Sequence, residues 1–435
     1  MRIKLLALCL LATPIAPAIA QTPSSTATPA TVQPSPALTQ RIADLPAIVA
    51  AKGDFDAYFA SSFRAQIPKD KFDAIGPQIV AQYGAIGAVE KVTVTSPHEA
   101  TVLLGFERGI ATIQLTIDPA PPHAVTGLLI ARIEPREDNA QKVQADFRAL
   151  PGSTAFGVYA LGRGITPRFE HGGGQAMPLG STFKLWVLAE AARQVQAGER
   201  RWDDVARIDG QRSLPSGITQ SWPMDAPVTL QTLATLMISL SDNTATDTLM
   251  RTLGRDKVDA MVARGGARDP GATLPVLTTM EAFRLKTPGN ARLAAQWKSV
   301  GPDARRKLLA DHKTQIAETR IDAALFGEKP LALDVEWFAT PRDQAALLDW
   351  LRTQGGDTAL QIMAANPGTP SAALFDYAGF KGGSETGVIY GSWLLKTRKG
   401  NWYAVTGGWT RTDAGVQQTA FMNLMNRLIA QLAAQ

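Results

Sequence analysis

This chain has almost no cysteine. Its 435 residues contain one, Cys9, which lies inside an apolar N-terminal run, LLALCLLA. Disulfides, a thiolate nucleophile and cysteine-ligated metals are therefore excluded beyond that run. The rest of the chain is long enough to bury a stable core without disulfide bonds.

A strong charge of either sign is also missing. The chain carries 44 basic and 39 acidic residues, a formal net charge of +5 at pH 7. A balance so close to neutral argues against nucleic acid or a membrane surface as a partner. The histidines, which are His98, His123, His171 and His312, show no metal-ligand spacing, so no metal or cofactor is implied.

The apolar run at the N-terminus is short, and no second long apolar run follows it. Arg2 and Lys4 precede it, and small residues ending at Ala20 provide a cleavage site. This pattern is typical of a secretory signal peptide over residues 1–20 and is too short for a membrane anchor. A lipoprotein signal would need a cysteine at the cleavage site, where Cys9 does not lie. We therefore expect a soluble periplasmic or secreted protein.

Composition divides the remaining chain into a leader and two domains. Residues 21–37 are rich in Pro, Ser and Thr, which is typical of a flexible leader. Residues 38–135 first show helical spacing of apolar residues and then alternate with period two, as at Ile113, Leu115 and Ile117. Helices followed by an antiparallel meander predict a small α+β domain.

The second domain follows a charged, proline-broken stretch, EPREDNAQ, and we predict a linker over residues 136–149. Residues 150–435 begin and end with strand-like segments, and a long helical region lies between them. This pattern predicts an antiparallel sheet that is built from both ends of the segment and flanked by helices. The whole chain is thus placed in the α/β (α+β) class.

Three short polar motifs carry the candidate chemistry. In the first, LGSTFKLWVLAEAARQ, Ser181 and Lys184 stand one helical turn apart at a predicted helix start. A serine hydroxyl needs a base to act as a nucleophile, and a lysine becomes one when burial or a second cation lowers its pKa. The alternative is that Ser181 caps the helix and Lys184 is solvated.

In the second motif, Ser241-Asp242-Asn243 interrupts an apolar helical pattern. Ser241 is suited to relay a proton between a substrate nitrogen and a lysine. Asn243 is suited to hold a substrate amide, because its side chain both donates and accepts hydrogen bonds. The alternative is a helix stop followed by the cap of the next helix.

The third motif, GFKGGSETG, places Lys381 before two glycines at a predicted strand edge. Glycine there lets a ligand approach the backbone closely. The backbone N–H of Ser384 is predicted to pair with that of Ser181 as an oxyanion hole. Lys381 would attract a carboxylate and would be the second cation near the lysine of the first motif. The alternative is a turn with a solvated lysine.

Taken together and in this order, the three motifs are those of class A β-lactamases and penicillin-binding proteins, which the second domain resembles. STFK at 181–184 and SDNTA at 241–245 match closely, and the 60 positions from Ser181 to Ser241 agree with the family. The resemblance covers about residues 150–435. It implies an antiparallel sheet flanked by helices, with an all-α subdomain and the site between them.

The resemblance also implies a role for each motif residue. The catalytic set would be the nucleophile Ser181, its base Lys184, the proton relay Ser241, and Lys381. The substrate-binding set would be Asn243, Gly382, Gly383, Ser384 and Thr386. The implied substrate is a small molecule, a β-lactam or a related amide or ester.

Two departures from the family's pattern bear on this expectation. The third motif has Gly382 where the family has a hydroxyl, which Ser384 or Thr386 is expected to supply. Class A enzymes also carry a glutamate followed four residues later by asparagine, and that glutamate activates the deacylating water. Here the residue four positions after Glu281 is Leu285, not asparagine. Glu281 is either the deacylation base or a plain helical surface residue, and without a base the acyl-enzyme would persist.

The whole chain resembles the two-domain serine hydrolases associated with clavulanic acid biosynthesis clusters. Those proteins pair an NTF2/steroid-isomerase-like domain with a β-lactamase-like domain, and SLPSGITQSWP at 213–223 and VLTTMEAF at 276–283 support the likeness. We predict an exported serine hydrolase. Alternatives are an esterase, a D-alanyl peptidase acting on a cell-wall peptide, or a penicillin-binding sensor that acylates without turnover.

Overall fold

The computed structural model of the chain describes residues 32–136, 138–213, 215–327 and 329–433. The predicted signal peptide and the leader up to residue 31 lie outside these ranges. Ser35 accepts a hydrogen bond from Leu38 N at 3.1 Å and caps the first helix, which begins at Pro36. The predicted leader, 21–37, is therefore too long at its C-terminal end.

The first unit places helices before an antiparallel sheet, in the predicted order. The helices are α1 (Pro36–Val49), α2 (Phe55–Tyr58), α3 (Ser61–Gln66), α4 (Lys69–Asp73) and α5 (Ile75–Tyr83). The strands are β1 (Ile86–Ser96), β2 (Glu99–Phe106), β3 (Gly109–Ile117) and β4 (Val125–Pro135), each paired with its neighbour in sequence. Alternate strand residues such as Leu104 and Ile113 are buried in one core with residues of α1. The likeness to an NTF2 or steroid-isomerase domain stays a prediction.

The predicted linker, 136–149, contains a helix, α6 (Ala140–Ala149). Phe147 of this helix is fully buried in the core of the second unit. Asp138 forms a buried ion pair with Arg427 at 2.7 Å, near the C-terminus of the chain. A linker is therefore not what residues 140–149 form, because Asp138 and Asp146 pair with the buried Arg427, and Val143 and Phe147 are buried in the core of the second unit.

The second unit begins with strands, continues with helices and returns to strands. Its first strands are β5 (Ser153–Leu161), β6 (Ile165–His171) and β7 (Met177–Pro178). The middle holds α7 (Lys184–Gln196), β8 (Val205–Arg207), β9 (Pro227–Thr229), α8 (Leu230–Ser239), α9 (Asn243–Leu253), α10 (Arg255–Arg264), α11 (Thr279–Lys286), α12 (Ala291–Ser299), α13 (Pro302–Asp311), α14 (Lys313–Glu318), β10 (Phe338–Ala339), α15 (Pro341–Gln354) and α16 (Gly356–Ala364). The end holds β11 (Phe375–Glu385), β12 (Val388–Thr397), β13 (Trp402–Thr410) and α17 (Gln418–Ala433).

The main sheet of this unit is antiparallel with strand order β11-β12-β13-β5-β6, so both ends of the segment contribute, as predicted. Its two faces are covered because successive strand residues point to opposite sides. Trp393 and Val405 pack in the core that includes α6 and α17, whereas Tyr159 and Leu394 join the core that includes α7 and α15. Within the described residues, no helix has the length and apolar character to cross a membrane.

Candidate active site

Ser181 lies in a tight 3-10 turn, Gly180–Phe183, that runs directly into α7. Gly180 adopts φ +49°, a conformation that favours glycine, and this turn brings the serine to the edge of β11. The residue that precedes α7 is Phe183, which makes no side-chain capping bond. Ser181 is therefore not the cap of this helix, which excludes the first alternative.

Lys184, one turn further on, is fully buried rather than solvated. Its Nζ donates to Ser241 Oγ at 3.1 Å, to the Ser241 carbonyl at 2.6 Å and to Asn243 Oδ1 at 2.7 Å. The first and second motifs thus meet at the Lys184 amine, although Lys184 and Ser241 are 57 positions apart in the sequence.

The second motif lies at the break between α8 and α9. Asp242 caps α9 by accepting from Ala245 N at 2.8 Å, so the predicted stop and cap do exist. The same break turns Ser241 into the site with φ +56°, which is rare for a residue other than glycine. The capping role and the site role are therefore divided between neighbouring residues.

Lys381 of β11 reaches the same serine from the opposite side. Its Nζ donates to Ser241 Oγ at 3.0 Å and to the Gly382 carbonyl at 2.5 Å. The side chain is buried, so the solvated-lysine alternative is wrong. One hydroxyl, Ser241 Oγ, thus bridges two buried amines and brings all three motifs together.

Both amines are less basic than an ordinary lysine. Burial lowers the pKa of Lys184 well below its usual value, and the charge of Lys381 lowers it further, against the weaker opposing effects of Asp247 and Asp242. Burial lowers the pKa of Lys381 to about 7. Lys184 therefore gives up its proton more readily than an ordinary lysine, and at neutral pH Lys381 is poised between its charged and neutral forms.

The glycines of the third motif allow β11 to lie against the Ser181 turn. A Cβ at Gly383 would come within 2.2 Å of the Leu179 carbonyl oxygen and 2.3 Å of Ser181 N. A Cβ at Gly180 would lie 3.0 Å from Ser384 N. The N–H groups of Ser181 and Ser384 therefore lie close together, as an oxyanion hole requires.

Glycine is required at position 382 for a different physical reason. A Cβ at this position would meet the ring of Phe380 at 2.6 Å, because residues two apart share a strand face. The Phe380 ring itself packs on Trp393, with ring centroids 4.7 Å apart. An aromatic ring thus fills the space beside Lys381 that a hydroxyl-bearing residue would occupy.

Thr386 does not take the place of the missing hydroxyl. Its Oγ1 donates to the Phe326 carbonyl at 2.5 Å, at the turn between β11 and β12. The Thr386 hydroxyl proton is therefore engaged by the backbone, and the substrate-binding role of Thr386 stays a prediction. Ser384 remains as the neighbouring hydroxyl, and it is exposed to the cleft.

An open cleft of about 470 Å³ lies over these groups. This volume is in the range typical of small-molecule sites. The motif residues on its wall are Ser181, Ser241, Asn243, Lys381, Gly382, Gly383 and Ser384. The structure therefore collects seven of the predicted site residues on one concave surface. Lys184 is fully buried and contacts two of them, Ser241 and Asn243, and Thr386 and Glu281 are not in the lining.

Residues 138–373 match the family model described as the Beta-lactamase enzyme family. The chain belongs to this family. No curated protein matches the chain.

Solved structures similar to this member of the family include a β-lactamase from Sphaerobacter thermophilus, 20% identical, covering 68% of this chain and 98% of that chain with a TM-score of 0.48. A β-lactamase from Chitinophaga pinensis is 16% identical, and the match covers 68% of this chain and 100% of that chain, with a TM-score of 0.47. An acyl-enzyme complex of a mutant of PBP-A with penicillin G is 16% identical, covering 68% and 96%, with a TM-score of 0.47.

In this β-lactamase-family chain, Glu281 lies at the start of α11 and faces away from the cleft lining. Its backbone N–H donates to Thr278 Oγ1, and its carboxylate accepts from Thr278 N, which forms a capping box. The carboxylate also forms an ion pair with Arg255. The structure therefore gives Glu281 a helix-capping role, and it is not among the residues that line either cavity at Ser181.

A second, smaller cavity of about 30 Å³ also has Ser181 in its lining, and the sequence did not predict it. Its charged lining consists of Lys286, Glu336 and Glu385. Lys286 forms ion pairs with both carboxylates, at 2.7 Å with Glu336. Glu336 Oε2 also accepts from Gly180 N at 3.1 Å and thereby holds the turn that carries the serine.

One sequence signal for this cluster existed. Lys286 follows Ala282 and Leu285 at the helical spacing of a core-facing stripe, and all three side chains are buried. A lysine on an apolar stripe needs a buried partner, because an unpaired buried charge is costly. The sequence did not identify Glu385 as such a partner, because Glu385 lies 99 positions away from Lys286.

Proposed function

We propose that this chain is an exported serine hydrolase whose Ser181 is acylated by a β-lactam or a related amide or ester. The observation that carries the proposal is that one hydroxyl, Ser241 Oγ, joins two buried lysines of lowered pKa in the wall of the cleft that contains Ser181. A buried lysine of lowered pKa beside a serine is one of the ways in which a hydroxyl becomes a nucleophile.

In the proposed reaction, Lys184 takes the proton of Ser181 Oγ as this oxygen bonds to the substrate carbonyl carbon. The N–H groups of Ser181 and Ser384 stabilise the negative charge on the tetrahedral oxygen. Ser241 passes the proton to the leaving nitrogen or oxygen, and the bond from the carbonyl carbon to that atom breaks. Asn243 holds the substrate amide, and the charged form of Lys381 binds the substrate carboxylate.

Water then attacks the ester carbon and releases the acyl group as a carboxylic acid. Two alternatives use the same acylation step: an esterase or a D-alanyl peptidase acting on a cell-wall peptide. A third alternative is a sensor that acylates once, and it is favoured by the position of Glu281 away from the cleft lining. The periplasm or the exterior is the proposed location, on the basis of the N-terminal apolar run.

The first unit is proposed to shape the mouth of the cleft, as in the two-domain hydrolases that the chain resembles. Its helix α5 contacts α17. Gln418 and Met422 of α17 in turn line the cleft. The first unit is thus in contact with the helix that forms one side of the entrance.

Intact-mass spectrometry after mixing with benzylpenicillin tests the proposal. We expect the wild-type protein to gain the mass of penicillin and Ser181→Ala to gain none. Ser299→Ala, a serine change at an exposed position, is the matched control and should be acylated like the wild type. Rates on nitrocefin and on p-nitrophenyl acetate then separate a β-lactamase from an esterase. A wild-type protein that forms no adduct with benzylpenicillin and hydrolyses neither substrate would refute the proposed function.

A further inference from the structure

We propose that Glu385 is the general base that activates the deacylating water in this chain, and that this water binds in the small cavity beside Ser181. The inference rests on the proposed function, because it concerns the second half of the same reaction. It assigns the role to a carboxylate on β11 rather than to one on the segment where class A enzymes carry theirs.

The first support is the position of the cavity. Its lining includes both Ser181 and Glu385, together with Ser384, whose N–H group belongs to the proposed oxyanion hole. A volume of about 30 Å³ is enough to hold a water molecule. Because Ser181 and Ser384 both line this cavity, water held there would lie beside the ester formed on Ser181.

The second support is the division of labour between the two carboxylates. Glu336 uses Oε1 to accept from Lys286, and Oε2 to accept from Gly180 N at 3.1 Å and from Trp337 N at 3.3 Å. Its oxygens are therefore committed to holding the turn of the nucleophile. Glu385 is held by Lys286 through Oε1 and follows Ser384 directly in β11. Glu385 also shares a side-chain hydrogen bond with Glu336, but it does not hold the Ser181 turn as Glu336 does. Of the two acids, Glu385 is thus the one suited to exchange a proton with water.

The third support is the basicity of Glu385. Burial raises the pKa of its carboxyl to about 8, with a lowering effect from Lys286 and a further raising effect from Glu336. A general base is most effective when its pKa lies near the working pH, because it then combines availability with affinity for the proton. The groups that set this value all come from the elements around the cavity, namely α11, the segment before β10, and β11.

In the proposed deacylation step, the water oxygen bonds to the acyl carbon while one water proton moves to the Glu385 carboxylate. The tetrahedral intermediate then collapses as the bond between the acyl carbon and Ser181 Oγ breaks. The proton on Glu385 passes to Ser181 Oγ, so the hydroxyl and the carboxylate are both restored and a carboxylic acid leaves.

The test compares acylation with deacylation in Glu385→Gln by time-resolved intact-mass spectrometry with benzylpenicillin. We expect acylation within a few-fold of the wild-type rate and loss of the adduct slowed by about 100-fold or more. Glu190→Gln, which also changes a fully buried, ion-paired glutamate, is the matched control and should release the adduct like the wild type. Glu281→Gln tests the rival base and should also release the adduct like the wild type.

Several results would overturn the inference. Release from Glu385→Gln at the wild-type rate would refute it and leave the proposed function standing. A wild-type adduct that never decays would show a sensor with no base at all. A wild-type protein that forms no adduct would instead refute the proposed function.

A pH profile of the wild-type protein keeps the inference testable if Glu385→Gln fails to fold. Because the base acts only when ionised, the rate of adduct loss should rise with pH and level off above about 8. If Glu385 only formed a structural ion pair, the rise with pH would not be confined to the deacylation rate. A deacylation rate that is constant between about pH 6 and 9 would contradict the role of Glu385.

Discussion

Two cavities share Ser181 in their lining, and the buried lysines beside them have opposite electrostatic surroundings. On the cleft side, Lys184 and Lys381 share the Ser241 hydroxyl and form no ion pair among the described residues. On the other side, Lys286 forms ion pairs with Glu336 and Glu385. Burial is thus common to both sides, and the difference lies in the partners.

This difference gives the lysines opposite basicities. Burial lowers the pKa of Lys184, and that of Lys381 to about 7. Burial also acts to lower the pKa of Lys286, but Glu336 and Glu385 outweigh it, so that the pKa of Lys286 is raised. Buried amines therefore become bases where carboxylates are distant and permanent cations where carboxylates are close. On the second side the group available as a base is a carboxylate.

The largest expected contrast is between Lys184→Met and Lys286→Met, the same substitution on the two sides. Lys184→Met should reduce the acylation rate by about 10²–10⁴-fold because the proton acceptor of Ser181 is lost. It should cost only about 1–2 kcal/mol of unfolding free energy, since only the hydrogen bonds of a weakly basic amine are lost.

Lys286→Met should instead cost about 3–5 kcal/mol, because it leaves two buried carboxylates without their cation. Denaturant unfolding at pH 7 measures both variants. Equal losses of stability in the two would show that the partners of the two lysines do not differ as described.

The next contrast concerns Gly382 and Gly383, the two glycines of β11 that line the cleft. Gly383→Ala places a methyl group against the backbone of the Ser181 turn, whereas Gly382→Ala meets only the Phe380 ring. We expect Gly383→Ala to lose about 1–3 kcal/mol of stability together with most of its acylation, and Gly382→Ala to lose less of both. Acylation by benzylpenicillin and thermal unfolding check this expectation. Gly383→Ala with full acylation would contradict the close approach of β11.

The pH dependence of substrate binding tests the cleft side alone. Because the pKa of Lys381 lies at about 7, its charge is present below that pH and is lost above it. KM for a carboxylate-bearing β-lactam should therefore rise above pH 7, by at most about tenfold per pH unit. KM for a neutral ester such as p-nitrophenyl acetate should stay constant over the same range. If KM changed with pH in the same way for both substrates, the proposed role of Lys381 in binding the carboxylate would be contradicted.

The smallest expected effect is that of Glu281→Gln. Glutamine keeps the capping box with Thr278, so only the partly exposed ion pair with Arg255 is lost. We expect less than about 1 kcal/mol of stability to be lost. Thermal unfolding measures it. A loss of several kcal/mol would show that Glu281 contributes more to stability than its contacts indicate.

The site residues that the sequence predicted lie in short motifs with a helix or strand on one side. Ser181 and Lys184 are one turn apart, and Lys381 is next to the glycines it needs, so local spacing was enough to single them out. Their convergence on Ser241 Oγ followed only from the resemblance, since nothing local to Lys381 indicates a contact 140 positions away. Local pattern also gave no sign that the Thr386 hydroxyl donates to the Phe326 carbonyl, 60 positions away.

The fold followed the same rule. Period-two and helical patterns were sufficient for the order of strands and helices in both units. The stretch at 136–149 was misassigned as a linker because charge and proline normally mark exposed chain. The buried partner of Asp138 is Arg427, which is 289 positions away, and no local feature pointed to it.

By itself the sequence determined the elements, their order and the polar side chains available for chemistry, because these depend on periodicity and spacing within a few turns. The tertiary structure decided which of these side chains became bases, which became permanent ions and which only cap a helix. A pKa is set by burial and by neighbours within a few ångströms, and those neighbours come from distant parts of the chain. Lys184 and Lys286 are both lysines on helices, and only packing made them chemically different.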